Sequence, residues 1–236
     1  RYRHNHLNHL DELLKKYQAD QTFERIIIVT ESIFSMDGDE ADLAALVALK
    51  KQYSNVMLYV DEAHAIGVRG KQGLGIVEQA GVIQEVDFIV GTFGKALASV
   101  GGYLICDPII RDFLINKMRP LIFSTAQPPM CMAWTNFILQ KVVEMSNQRE
   151  YLKALSHSLN TQILAKNYDC PSSSQIVPVI VGDSIQTVAL AHEMQKAGFY
   201  IMPVRPPTVP QGASRLRICL NTRIDQHDLD RLVSLL

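Results

Sequence analysis

No apolar run in this chain approaches the ~18 consecutive residues that a membrane-spanning helix needs. Charge of one sign is also missing. The 23 Lys and Arg are matched by 24 Asp and Glu, for a net charge of −1, which argues against a nucleic-acid surface and against a polybasic membrane patch. Cys106, Cys131, Cys170 and Cys219 stand far apart, without the paired spacing of a zinc site or the density of a disulfide framework. Reduced thiols in a cytoplasmic protein are therefore expected, with no metal site. No signal peptide is expected, and these residues hold no internal repeat or low-complexity segment. An initiator methionine is absent as well: Arg1 leads almost directly into a helix, the pattern of a piece that begins in mid-domain.

What is present suits a globular protein. The 236 residues are 47% hydrophobic, enough for one large domain or two modest ones with real cores. Leu7, Leu10, Leu13 and Leu14 recur at helical spacing. A strand is expected over residues 25–30, a turn at Asp37-Gly38, and a helix capped by Asp42 and running to about Tyr53. Strands ending at Val60 and Val90 follow, the first leading into a loop with Gly67, Gly70, Gly73 and Gly75. A strand over 102–106 and a helix opened by Asp107-Pro108 complete an α/β half with a mostly parallel sheet and flanking helices. Pro128-Pro129 opens a long helical stretch towards Lys166. Beyond Cys170-Pro171 come strands at 176–181, 200–202 and 216–220, with helices at 185–197 and after Asp225. The expected division is a large domain over 1–147 and a small α+β domain over 148–236.

The residues that carry chemistry gather at two strand ends. Val56–Val60 runs into Asp61-Glu62-Ala63-His64, and Val86–Val90 runs into Gly91-Thr92-Phe93-Gly94-Lys95. Ligands of open α/β sheets bind outside the carboxyl ends of the strands, so an acid, an imidazole, a hydroxyl and an amine converge there. Asp-Glu-Ala-His also occurs in helicases, but that reading needs an upstream Gly-x4-Gly-Lys-Ser/Thr loop, which the chain lacks. Lys95 read blandly is a solvated surface lysine. Against that stand the glycines around it, which let backbone pass close to a ligand. An acid and an amine on neighbouring strand ends are what pyridoxal phosphate chemistry requires: the amine joins the aldehyde as a Schiff base, and the acid keeps the ring nitrogen protonated. Thr92 offers a hydroxyl for the phosphate, and Ser35 lies in a loop at the same sheet edge. Arg215 and Arg217 share one face of a strand, and either guanidinium suits an amino-acid carboxylate. His4, His6 and His9 are expected to be solvated, and Met130, Met132 and Trp134 to be core or interface.

Taken in order, these segments resemble the α-oxoamine synthase family of fold-type I pyridoxal phosphate enzymes. The resemblance runs through Phe34–Asp39, Asp61–His64, Gly91–Lys95, Phe123–Pro129, Arg205–Pro210 and Arg215–Arg217. It implies an aspartate-aminotransferase-like large domain and a small C-terminal domain. It further implies that Lys95 carries the cofactor and then removes the α-proton, and that Asp61 pairs with the pyridine nitrogen. His64 and Ser35 would hydrogen-bond the phenolic oxygen. Thr92 would bind the phosphate, and Thr125 the phosphate held by the partner subunit of a homodimer with a shared active site. Thr208 would contact substrate, and Arg217 would hold the amino-acid carboxylate. The implied reaction is a decarboxylative condensation of an amino acid with an acyl-CoA. Arg205–Pro210 looks specifically like the biotin-pathway branch, which takes L-alanine with pimeloyl-CoA or a pimeloyl carrier protein. A glycine-using relative with a short acyl-CoA is the alternative within the family, and an inactive fragment or interaction module the alternative outside it. Gly73-Leu74-Gly75 departs from the family, where arginine is common between the glycines. Family members are also longer at the N-terminus, where a histidine stacked on the ring and a phosphate loop reside.

Overall fold

Three short apolar runs, each bounded by turn residues, become parallel strands because β-branched and aromatic side chains fit a pleated surface that is buried on one face. In the computed structural model, which describes residues 1–20 and 23–236, the chain divides into two compact units. One comprises residues 1–33 and 41–146, the other residues 34–40 and 147–236.

The first unit runs α1 (Leu7–Asp20), β1 (Ile26–Glu31), α2 (Leu43–Lys50), β2 (Val56–Asp61), α3 (Ile76–Gln79), a 3-10 turn (Ile83–Glu85), β3 (Phe88–Thr92), β4 (Gly102–Cys106), α4 (Pro108–Lys117), α5 (Arg119–Ile122) and α6 (Pro129–Glu144). The sheet order is β1-β2-β3-β4. The first three strands are parallel and β4 is antiparallel to β3, so the sheet is mostly parallel, with helices around it. Asp42 caps α2 as expected: its carboxylate accepts from Ala45 N at 2.9 Å, a cap that contributes about 1 kcal/mol. Asp107 caps α4 in the same way, with Pro108 at the first helical position, where its missing N–H is harmless.

Register decides which residues reach the site. Ile28 pairs with Leu58, and Thr30, Val60 and Ile89 form the next row; all five are buried. Each large aliphatic side chain fully buried in this way contributes roughly 1.5–3 kcal/mol. The alternate rows, Ile27 with Met57 and Val29 with Tyr59 and Phe88, face the other side and are half-buried to exposed. Asp61 and Thr92 follow Tyr59 and Val90 at period two, so both belong to that less covered face.

The second unit contains α7 (Ser146–Ala165), β5 (Ile176–Gly182), α8 (Ser184–Lys196), β6 (Pro203–Val204), β7 (Ser214–Cys219) and α9 (Gln226–Ser234). Its antiparallel sheet has the order β5-β7-β6. Leu152, Leu155, Leu159 and Ile163 recur along one buried face of α7. Two expectations fail in detail. The helical stretch opened by Pro129 is interrupted at Met145 (φ −91°, ψ 36°), making two helices of one. The strand expected at 200–202 instead pairs at Pro203 and Val204, opposite Leu216 and Arg215. Gln195 Nε2 donates to the Ile201 carbonyl, so that backbone group is satisfied outside the ladder. All four cysteines are free. Among the described residues no helix is long and apolar enough to cross a membrane.

Candidate active site

Two tight turns leave the C-terminal ends of β2 and β3 and bring their side chains together. After Asp61, the Ala65 and Ile66 amides both donate to the Glu62 carbonyl at 2.9 Å, coiling the chain so that His64 rises beside the sheet. Asp61 Oδ1 accepts from Ala63 N at 2.8 Å, which fixes its carboxylate at the mouth of that turn. After Thr92, the Phe93 amide donates to the Gly101 carbonyl and the Ser99 amide to the Phe93 carbonyl, closing a loop with Lys95 on its exposed arc. Lys95 Nζ and His64 Nε2 lie 2.9 Å apart. An ammonium has no lone pair, so Lys95 donates and the imidazole accepts.

Thr92 is at the strand end but already engaged. Its Oγ1 donates to the Gly101 carbonyl and accepts from Gly94 N, both at 3.1 Å. A phosphate oxygen at this position would need the hydroxyl to rotate. Thr125 is exposed in the segment between α5 and α6.

Behind Asp61 lies a residue for which the sequence reading found no role. Glu62 is fully buried, and its carboxylate accepts from Ser32 Oγ at 2.6 Å, Val77 N at 2.7 Å and Ile76 N at 3.2 Å. Burial raises its pKa above the usual glutamate value, opposed by those three donors. Gly75 (φ 101°) lets the glycine-rich loop pass over this carboxylate, since a Cβ there would overlap it. The strand alternation held the signal: the residue after Asp61 must point to the covered face. Tyr103 lies across β3 on that same face, and burial, then the charges of Glu62 and Asp61, raise its phenol pKa. Burial and then Asp61 raise Tyr59 in the same sense.

The second unit holds Ser35, Thr208, Arg215 and Arg217. Arg217 Nε donates to the Ser35 carbonyl at 2.6 Å and its Nη1 to Cys219 Sγ at 2.9 Å. Arg215 is 4% exposed and spent on structure: it pairs with Asp37 and also donates to the Met36 and Ala213 carbonyls. Of the two arginines, Arg217 keeps more unused donor capacity. Thr208 is exposed, its amide donating to the Arg205 carbonyl at 3.0 Å. His9 Nδ1 accepts from Arg3 N, and His6 Nδ1 from His9 N. Met130, Met132 and Trp134 are 80%, 51% and 46% exposed, so none belongs to the core of the first unit.

An amine in contact with an imidazole, a carboxylate one strand away and an adjacent hydroxyl fit a group bearing an aldehyde, a ring nitrogen and a phosphate. Comparison with known proteins agrees. The family model for aminotransferase class I and II matches residues 1–236. A Pasteurella multocida relative, whose assigned name is that of an 8-amino-7-oxononanoate synthase, is 53% identical over 100% of this chain and 61% of its own length. The present chain thus spans about 61% of that curated relative. Serine palmitoyltransferase of Sphingomonas wittichii superposes with a TM-score of 0.91 at 32% identity, covering 100% of this chain and 59% of that one. A serine palmitoyltransferase solved with pyridoxal phosphate gives a TM-score of 0.90 at 28% identity, with the same coverage.

Proposed function

The chain belongs to the aminotransferase class I and II family, and on that footing we propose that it works with pyridoxal 5′-phosphate as an α-oxoamine synthase, joining an amino acid to an acyl-CoA with loss of carbon dioxide. The observation that carries the reading is the 2.9 Å contact of Lys95 Nζ with His64 Nε2, just beyond the paired strands that end at Asp61 and Thr92. The relatives named for 8-amino-7-oxononanoate synthase favour L-alanine and a pimeloyl thioester as substrates. In that reaction a carbon–carbon bond forms between the alanine α-carbon and the thioester carbonyl. CoA leaves as the thiol, and the alanine carboxylate departs as carbon dioxide.

Pyridoxal phosphate, when bound, supplies an aldehyde for a primary amine and a ring that takes up negative charge from the α-carbon. Lys95 provides the amine and, once free, the base for the α-proton. Its contact with His64 Nε2 fixes where that amine lies at the strand end. Asp61, fixed by the Ala63 amide, would keep a proton on the ring nitrogen of the bound group. His64 and Ser35 are assigned to the phenolic oxygen, Thr92 and Thr125 to phosphate, Thr208 to substrate and Arg217 to the amino-acid carboxylate. We assign residues 1–147 to the cofactor-binding domain and 148–236 to the small domain. We also assign a homodimer with a shared active site, and a cytoplasmic location.

The test is CoA release with alanine, glycine or serine, each against pimeloyl-CoA, acetyl-CoA and palmitoyl-CoA. Alanine with pimeloyl-CoA is expected to lead. Faster turnover of glycine with acetyl-CoA, or of serine with palmitoyl-CoA, would move the protein to another branch of the family. Failure of every pair together with no pyridoxal phosphate uptake would remove the enzyme reading.

A further inference from the structure

We propose that Trp134 and Thr135, neighbours on α6, are positioning residues for Lys95, an inference that rests on the cofactor reading above for the role of that lysine. The arc that carries Lys95, residues 94–96, is exposed, and its contact with His64 needs the loop beneath it to be held. Three anchors follow the lysine in succession. Leu97 is fully buried against Ile66 and Val142, the latter on α6. The Ala98 carbonyl accepts from Trp134 Nε1 at 2.9 Å. Ser99 Oγ and Thr135 Oγ1 are 2.6 Å apart. Thr135 is 4% exposed and gives its single hydroxyl proton to the Cys131 carbonyl at 2.8 Å, so Ser99 is the donor in that pair.

The backbone between the anchors is strained. Ala98 has φ 46°, a left-handed conformation in which its Cβ crowds the following carbonyl. Glycine would take this conformation freely; alanine holds it because the groups on either side are tied to α6. Strain of this kind persists where the surroundings over-determine it, and it collects at functional sites. Without the Trp134 and Thr135 bonds, residue 98 relaxes to negative φ, the 98–99 peptide turns, and the arc bearing Lys95 loses its fixed separation from His64. Both anchors act through the loop and touch no reacting atom.

The test uses the intact protein and two readouts that do not require turnover. Thr135→Val keeps shape and removes the hydroxyl; Trp134→Phe keeps the ring and removes the N–H; Thr135→Ser is the conservative rescue. Hydrogen exchange at the amides of residues 94–99 should speed up by roughly tenfold or more in the first two variants, while β2 and β3 stay protected, and should return to the wild-type rate in Thr135→Ser. The pH midpoint for borohydride trapping of pyridoxal phosphate on Lys95 should move in the first two variants and be restored in the third. Unchanged exchange and an unchanged midpoint, with normal trapping in the wild type, overturn the clamp alone. A wild type that traps no cofactor at Lys95 overturns the cofactor reading, and with it the catalytic purpose of the clamp. Should Thr135→Val fail to fold, Trp134→Phe and Ser99→Ala decide by the same two measurements.

Discussion

The ring of Tyr103 occupies the space that a side chain on Gly91 would need: a Cβ there would overlap the phenol Oη, Cζ and Cε1. The two residues face each other across the antiparallel pair β3–β4. Gly91→Ala is therefore expected to destabilise the protein by about 1–3 kcal/mol, the usual cost of overpacking. Adding Tyr103→Leu should restore part of the loss, because the two positions share one space. Denaturant midpoints of the single and double variants check this; strictly additive losses would contradict the shared-space account.

Lys95→Ala should abolish trapping of pyridoxal phosphate and lower kcat at least about 100-fold, the low end for losing a positioned acid–base group. Lys95→Arg should do the same while keeping the charge, since guanidinium does not deprotonate in this range. Peptide mass mapping after borohydride reduction is the measurement, and an adduct on another lysine would displace Lys95 from its assigned role.

Arg215 and Arg217 should separate stability from substrate binding. Arg215→Ala removes a buried cation and strands the Asp37 carboxylate and two carbonyls, and should cost about 2 kcal/mol or more. Arg217→Lys should leave the thermal midpoint close to wild type while raising KM for the amino acid roughly 10- to 100-fold, the worth of a lost charge-assisted bond. A KM unchanged in Arg217→Lys and raised in Arg215→Lys would reverse the assignment.

Glu62 predicts a pH dependence of known sign. Its carboxyl binds a proton more tightly in the folded state than the ordinary value of 4.5. Such a group adds stability below that value and withdraws it as pH rises through the raised one. The stability of wild type minus that of Glu62→Gln should therefore decline from pH 4.5 upward and be flat below. Chemical denaturation of both proteins across this range isolates the effect from the other carboxylates. A difference that grows with pH would mean that the three donors outweigh burial.

The sequence carried the local part of this structure well. Asp42 and Asp107-Pro108 announce their helices because capping acts over three or four residues, and β1 to β3 follow from short apolar runs with turn residues at their ends. Pairings between distant segments were not legible. The strand at Pro203–Val204 was misplaced by a few residues because its position is set by register against β7, and Tyr200-Ile201-Met202 has the better strand composition. The anchors on Ala98 and Ser99 join groups 36 positions apart, and nothing in the residue types signals them. Asp61 and Thr92 were legible as strand ends, where alternation fixes the side of the sheet, and His64 and Lys95 follow each of them by three residues through short local turns.

Residues 34–40 pack with residues 147–236 although chain on both sides of them folds into the other unit. Three covalent crossings therefore join the two units, after residues 33, 40 and 146. A single scission after Ser146 leaves 34–40 attached to the N-terminal piece while Ser35 and Asp37 remain bonded to Arg217 and Arg215 of the other. The two units are thus not interchangeable modules: neither can be excised as one continuous stretch, and a piece beginning at Asn147 would lack the seven residues 34–40 that belong to its own unit.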